Sequence, residues 1–416
     1  MYTEHIVNVR PGGVDMAGKT AALAGFLVCI VLLGACENNF YELASGISGF
    51  GFRVMYDENG ADAGAVPVDD TVYAVGALVR VHGNPGGLEK AGHVLVAWST
   101  SPDDSGIEYP PGRQFSMGEA DVLLYARWTP GVPHSVGGVG FLMVHVPGWI
   151  FPTGENDDGE ANPVGAYYVS ETIITYELWE TVRSWAVANQ YTFLNDGQQG
   201  GEAIDAGHSG TPQHPVTKIS WQDAVVWCNA LTAMHNALHN TTYQPAYEHG
   251  GLAVTNAGAG GATWNTLEAT ATSDGFRLLD SLEWERAARY QGDSDAHGAL
   301  EHPTGSGNFW TPGSYASGAM AAHTDEAATR QVAWYNLNAA GSTHPVKELA
   351  PNALWLYDMS GNVREWTDTR EGTNSRIQRG GSFLGAAAHL QVGWFIWSSS
   401  SFEARDFGFR VGRTAP

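Results

Sequence analysis

From Val139 onward, only three stretches place apolar residues at helical spacing, and each opens on a residue able to cap a helix. In "TYELWETVRSWAVANQ", Leu178, Val182 and Trp185 share one face behind Thr175. In "SWQDAVVWCNALTAM", Ser220 and Asp223 have capping-box spacing ahead of Ala224, Trp227 or Cys228, and Leu231. "DSLEWERAARY" repeats the device with Asp280 and Glu283. Between the last two stretches lie roughly forty residues rich in Gly, Thr, Asn and Ala, which read as a long irregular surface loop. The pattern predicts a mixed α and β domain with long loops.

Residues 52–128 follow a different rule. "FRVMYDENGADAGAVPVDDTVYAVGALVRVHG", "HVLVAWST" and "ADVLLYARW" alternate apolar and polar positions between Gly, Pro, Asp and Asn breakers. Short strands joined by turns are expected there. "TPGVPHSVGG", at 129–138, is rich in Pro and Gly and reads as a linker.

The chain carries 21 Lys and Arg against 44 Asp and Glu, a formal net charge of -23. A nucleic-acid backbone needs clustered cations, so the charge argues against that class of partner. Cys29, Cys36 and Cys228 are the only cysteines. Two fall in an N-terminal apolar segment, so no disulfide framework is expected in the folded part. "MAGKTAALAGFLVCIVLLGAC" has a basic start at Lys19 and an apolar run too short for a transmembrane helix. It reads as a signal with Met16 as the start. "LLGAC" resembles a bacterial lipobox, which implies lipidation at Cys36, a tether over 37–51 and a membrane anchor of acyl chains.

Two resemblances follow from particular motifs. "YDENG", the Tyr73/Gly76 pair, "GHVLVAWST", Tyr109 to Gly112 and "LYARW" resemble the Listeria–Bacteroides (internalin B-type) surface repeat, which implies a small β-grasp-like spacer. "MVHVPGWIFPTG", "YELWETVRSW", "HPVTKISWQDAVVWCNALT", "GFRLLDSLEWERAARY", "LYDMSGNVREWTD", "RGGSF" and "GFRV" occur in the order seen in the formylglycine-generating enzyme (sulfatase-modifying factor) family. That resemblance, over 139–414, implies an α+β, C-type-lectin-like domain.

Enzymes of that family hold copper between two cysteines just after "RGGSF". Soft thiolates suit Cu(I); the matching positions here are Gly385 and Leu390, which cannot ligate it. Cys228, on the inner face of an expected helix, reads as a buried structural thiol. His235 and His239 are four apart but lack a carboxylate for a facial triad, and read as solvated. The family also implies a Ca²⁺ loop, carried over to Asp358, Gly361, Val363 and Glu365. Hard oxygen ligands suit that ion; the alternative is that Asp358 and Glu365 brace the loop by hydrogen bonds. No cofactor is otherwise required.

The stretch Arg379–Val411, "RGGSFLGAAAHLQVGWFIWSSSSFEARDFGFRV", has tight flanks and an untidy middle. It resembles the variable proteins of diversity-generating retroelements, which also set scattered residues between "RGGS" and "GFRV". Many residues from Leu384 to Phe407 are ones that mutated Asn-type codons encode; Trp394 and Trp397 are not. "WFIW" admits two readings, a buried strand or an exposed aromatic patch. In a strand alternate side chains face opposite ways, so two of the four would face a partner. The resemblance implies contact residues at Leu384, Gly385, Ala386, Ala388, His389, Trp394, Phe395, Ile396, Trp397, Ser398, Phe402, Asp406 and Phe407. Arg379 and Arg410 are expected to be structural, and Gly380 and Gly381 to allow close approach.

The combined expectation is a monomeric bacterial cell-surface lipoprotein anchored to the outer membrane. It would bind a macromolecule, protein or glycan, on a host or neighbouring cell, without catalysis. An oxidase of the formylglycine-generating type and a passive envelope protein are the alternatives.

Overall fold

The computed structural model describes residues 51–415 other than 104–105, 110–112, 149, 160–163, 202–209, 271 and 293–297. The signal segment, Cys36 and the tether up to residue 50 lie outside the described residues. The described residues form two compact units: one takes those within 51–55, 68–81 and 113–123, the other those within 56–67, 82–109 and from 124 on.

In the smaller unit, Leu78–Arg80 pairs antiparallel with Gln114–Ser116, and Phe52 exchanges backbone hydrogen bonds with Tyr73. Val79 is buried between exposed Leu78 and Arg80, the alternation expected of a half-buried strand.

The larger unit holds the helices. Its two main sheets contain β1 (His93–Ser99), β2 (Glu108–Tyr109), β3 (Val122–Val136), β4 (Val139–Val146), β5 (Tyr167–Ser170), β6 (Arg277–Leu278), β7 (Arg364–Glu371), β8 (Ser375–Arg379), β9 (Ile396–Ser399), β10 (Phe407–Gly408) and β11 (Val411–Thr414). The main sheet runs β6-β11-β5-β4-β3-β1-β2. A four-stranded sheet runs β9-β8-β7-β10, with β7 and β10 parallel.

The expected linker at 129–138 is corrected: it is the second half of β3 and a hairpin turn. Gly137 and Gly138 both take positive φ, 56° and 86°, which closes a two-residue hairpin into β4. The Pro and Gly that suggested a linker are compatible with a strand here. β3 pairs β1 only from Tyr125 to Pro130 and pairs β4 from Gly131 onward. Pro133 therefore lies where one side of the strand is unpaired, and its missing N–H costs no ladder bond there.

The three expected helices form where their caps predict, and two short ones, Gly261–Trp264 and Glu326–Arg330, join them. α1 (Tyr176–Ala188) opens on Thr175, whose hydroxyl accepts from the Leu178 N–H. α2 (Trp221–His239) and α3 (Ser281–Arg289) open on full capping boxes, Ser220 with Asp223 and Asp280 with Glu283. α2 is buried nearly all round, the position of a helix at the centre of a core. Trp179 and Trp227 stack at 6.0 Å, and Phe409 of the "GFRV" motif meets both edge-on.

The stretch between α2 and α3 is not a plain surface loop. Tyr247, Val254, Ala257, Trp264, Leu267 and Phe276 are buried in the α2 core. Asn229 of α2 donates to the carbonyls of Tyr247 and Val254, so the irregular backbone is tied to the helix. Its polar composition hid those apolar anchors.

Candidate functional site

The C-terminal stretch is a rigid frame around an exposed rim. Arg379 ends β8 and is buried. It donates to Ser281 Oγ (2.8 Å), to Glu285 Oε2 (2.7 Å) and to the Trp394 carbonyl (3.1 Å). Arg410 donates to Glu365 Oε2 (2.7 Å) and Oε1 (2.8 Å), and to the carbonyls of Tyr357 and Ser170. Both arginines are structural, as expected: each buried guanidinium meets a carboxylate and backbone carbonyls. Gly380 and Gly381 have φ of 87° and 69°, and a Cβ on Gly381 would stand 2.6 Å from the His389 carbonyl oxygen. Only glycine fits that approach.

The untidy middle lies on the rim. β9 is the outer strand of its sheet, paired along one side with β8 at Ile396↔Gln378 and Trp397↔Ile377. Phe395 is 43% exposed and Trp397 54%, while Trp394 and Ile396 are half-buried. "WFIW" thus runs into an edge strand: Trp394 and Phe395 precede it, Ile396 and Trp397 open it, and alternate side chains of the four are turned to solvent. The Phe395 and Trp397 rings are 6.4 Å apart, and the Arg379 guanidinium underlies Phe395 at 5.3 Å. Phe402 is 54% exposed and Leu384 37%; Ala386 and Ala388 are exposed as well.

Other expected contact residues stand elsewhere. Gly385, Asp406 and Phe407 are buried. Gly385 sits in a turn whose carbonyl accepts from the Asn336 N–H. Asp406 Oδ2 accepts from Ser382 Oγ (2.8 Å), and Phe407 packs edge-on against Trp366 at 5.3 Å. These three are packed into the frame by those contacts, although β10, like β9, is an outer strand of its sheet. Ser398 and His389 are half-buried; the His389 ring lies 4.7 Å from Trp394.

The implied Ca²⁺ residues do not fit a cation. Glu365 is fully buried and accepts from Arg410 twice and from Trp284 Nε1 (2.8 Å). A Ca²⁺ ion bound to this carboxylate would stand beside a guanidinium. Asp358 accepts from the Lys347 N–H (3.1 Å) and from the Asn362 amide (3.3 Å). Burial pushes its carboxyl up to about 6. Gly361 and Val363 are buried between them in sequence. The arrangement is that of braces. Among the described residues no group of three His, Cys, Asp or Glu side chains could hold a metal ion.

Leu390, one of the two positions expected to match the family's cysteines, is a core residue packed with Ala316, Ala319, Val332, Ala333 and Tyr335. Cys228 is fully buried, and burial pushes its thiol well up, the setting of a structural thiol. His235 corrects the solvated reading. It is buried, its Nε2 lies 3.0 Å from His134 Nδ1, and it stacks on Tyr243. The partner histidine comes from β3, a strand hidden in the supposed linker, so nothing in the helix itself announced the pair.

Sequence reasoning passed over Arg364, within "GNVREW". Its backbone N–H donates to the Asp406 carbonyl, and its guanidinium lies over Phe407 at 5.7 Å. It therefore stands among the buried members of the expected contact set.

Among solved structures, the chain is similar to Treponema denticola variable protein 1 (28% identity, 68% of this chain and 99% of that one, TM-score 0.49). It is also similar to CarF (26% identity, 66% and 98%, TM-score 0.51). A chaperone protein LppX of Paenibacillus barcinonensis is 24% identical over 302 residues, 65% of this chain and 89% of that protein. A putative membrane protein of Evansella cellulosilytica is 34% identical over 77 residues, 11% of its own length. The sulfatase-modifying factor enzyme 1-like domain matches residues 141–415. The expected order of motifs, the capped helices and the Arg410–Glu365 frame all fall inside that match. Over most of its length the chain therefore belongs to the sulfatase-modifying factor enzyme 1-like family and has that family's C-type-lectin-like α+β fold.

Proposed function

We propose that this protein is a surface-displayed, non-enzymatic binder. The rim of its C-terminal stretch takes a macromolecular partner, and the buried arginines and glycines hold the backbone beneath it. One observation carries the reading: Phe395, Trp397, Phe402 and Leu384 are exposed around an outer strand. Large apolar side chains held out of the core in this way mark interaction surfaces. Side-chain identity there can change at little cost to the fold, which suits diversification by a retroelement. The absence of thiols at Gly385 and Leu390 supports a domain without the family's copper chemistry. The lipobox-like "LLGAC", with relatives described as a putative membrane protein and as LppX, supports a lipoprotein tethered at Cys36 to the bacterial surface. The β-rich residues 52–128 would then act as a spacer.

The test is a triple variant, Phe395→Ser/Trp397→Ser/Phe402→Ser, compared with the parent for capture of intact bacterial and host cells. Capture is expected from the parent and should vanish in the variant while its melting temperature is unchanged. Equal capture by both would sink the reading, as would turnover of a sulfatase-type Cys peptide with copper. The diversification claim needs a near-copy of the Arg379–Val411 coding stretch beside the gene, differing only at adenines, with a reverse transcriptase. Without that pair, diversification is to be dropped.

A further inference from the structure

We propose that Arg364, outside the stretch Arg379–Val411, is the charged anchor of this face and takes the carboxylate of an Asp or Glu side chain on a protein partner. The inference rests on the reading of the face as a binding surface.

Arg364 is held in place and left unsaturated. Its backbone pairs with β10 at Phe407. Its side chain is 21% exposed, yet the buried Nε has no hydrogen-bond partner. The nearest acid, Asp406 Oδ2, is 3.7 Å away, beyond hydrogen-bonding range, and already accepts from Ser382. The contrast with Arg379 and Arg410 is direct: both meet carboxylates at 2.7 Å. The buried Nε is closed to a partner, but the exposed part of the guanidinium makes no hydrogen bond to the protein either, and it is there that an acceptor from outside would be met.

Its surroundings point to what supplies that acceptor. Phe407, under the guanidinium, also carries the exposed Phe402 ring at 5.8 Å. His389 lies close enough that burial and then the Arg364 charge lower its basicity, so near neutral pH Arg364 is the fixed cation there. A planar guanidinium matches a carboxylate with two parallel bonds. An acid flanked by apolar side chains suits a charged fork that shares the Phe407 ring with the exposed Phe402. Aromatic and arginine anchors together are the usual composition of protein–protein hot spots.

The experiment pans a phage-displayed random peptide library on the immobilised full chain. Recovered peptides are expected to carry Asp or Glu beside an apolar residue. Their affinity should fall by about tenfold or more for Arg364→Gln, because one partner of a buried pair is lost. Changing the peptide's Glu to Gln should cost a similar factor, and the two losses should not add. Arg364→Lys, which keeps the charge without the fork, should bind between the two. If Arg364→Gln fails to fold by thermal melt, Arg364→Lys and the peptide change carry the test. Peptides that ignore Arg364→Gln but are lost with Trp397→Ser would overturn the anchor and leave the binding face standing. Peptides indifferent to both substitutions, or no enrichment at all, would overturn both.

Discussion

Arg410 and Glu365 are both buried, and each is the other's counter-charge. Removing one partner leaves an uncompensated buried charge, which typically costs about 3–5 kcal/mol. Arg410→Met should therefore destabilise the protein by about that amount in denaturant melts; a loss under about 1 kcal/mol would refute the bracing role. Gly381→Ala tests the frame differently. Its φ of 69° and the carbonyl of His389 leave no room for a Cβ. A cost of about 1–3 kcal/mol is expected, whereas an unchanged melting temperature would mean that the turn relaxes freely. These residues were legible in "RGGS" and "GFRV" because close approach needs Gly and a buried acid needs Arg. Arg364 was not legible, since an Arg in a strand has no local mark that tells a saturated guanidinium from an unsaturated one.

Helices and the edge strand differ in what they bear. α2 is buried on nearly every face, so Trp227→Ala should cost about 3–5 kcal/mol. Ser220→Ala removes the capping hydroxyl and should cost about 0.5–2 kcal/mol. By contrast Trp397→Ser, on the outer strand, should move stability by no more than about 0.5 kcal/mol. Chemical denaturation of the three variants checks the ranking; a Trp397→Ser cost equal to that of Trp227→Ala would mean that Trp397 is core. The helices could be read in advance because capping and periodicity are local. "WFIW" could not be resolved in advance, because four apolar residues look alike in a central strand and in an outer one. What decides between them is that β8 pairs β9 and nothing lies beyond it in the sheet.

For the larger unit, pH is informative. His134 is pushed down to about 3, by burial first and then by His235, Arg413 and His239; burial pushes His235 down to about 4. Both folded values lie below the usual 6.5, so the unfolded chain binds more protons as pH falls from about 6.5 to about 4. Stability is lost through that window. Asp358 and Asp368, raised to about 6 by burial, act oppositely: their contribution is present below 3.8 and fades as pH rises through about 6. The double variant His134→Phe/His235→Phe should lose less melting temperature than the parent between pH 6.5 and about 4.5. An equal acid slope would exclude the pair as the cause.

The sequence by itself determined the α+β class, the three capped helices, the buried thiol and the roles of Arg379 and Arg410. Each follows from local spacing or from a residue with only one way to be satisfied when buried. Only the tertiary structure decided that 129–138 is strand, that His235 meets His134, that Glu365 faces Arg410, and that Asp406, Phe407 and Gly385 lie inside the frame while Trp397 lies outside. Those outcomes depend on which distant segment arrives at a given side chain. Pairing across a sheet is not encoded within any one stretch.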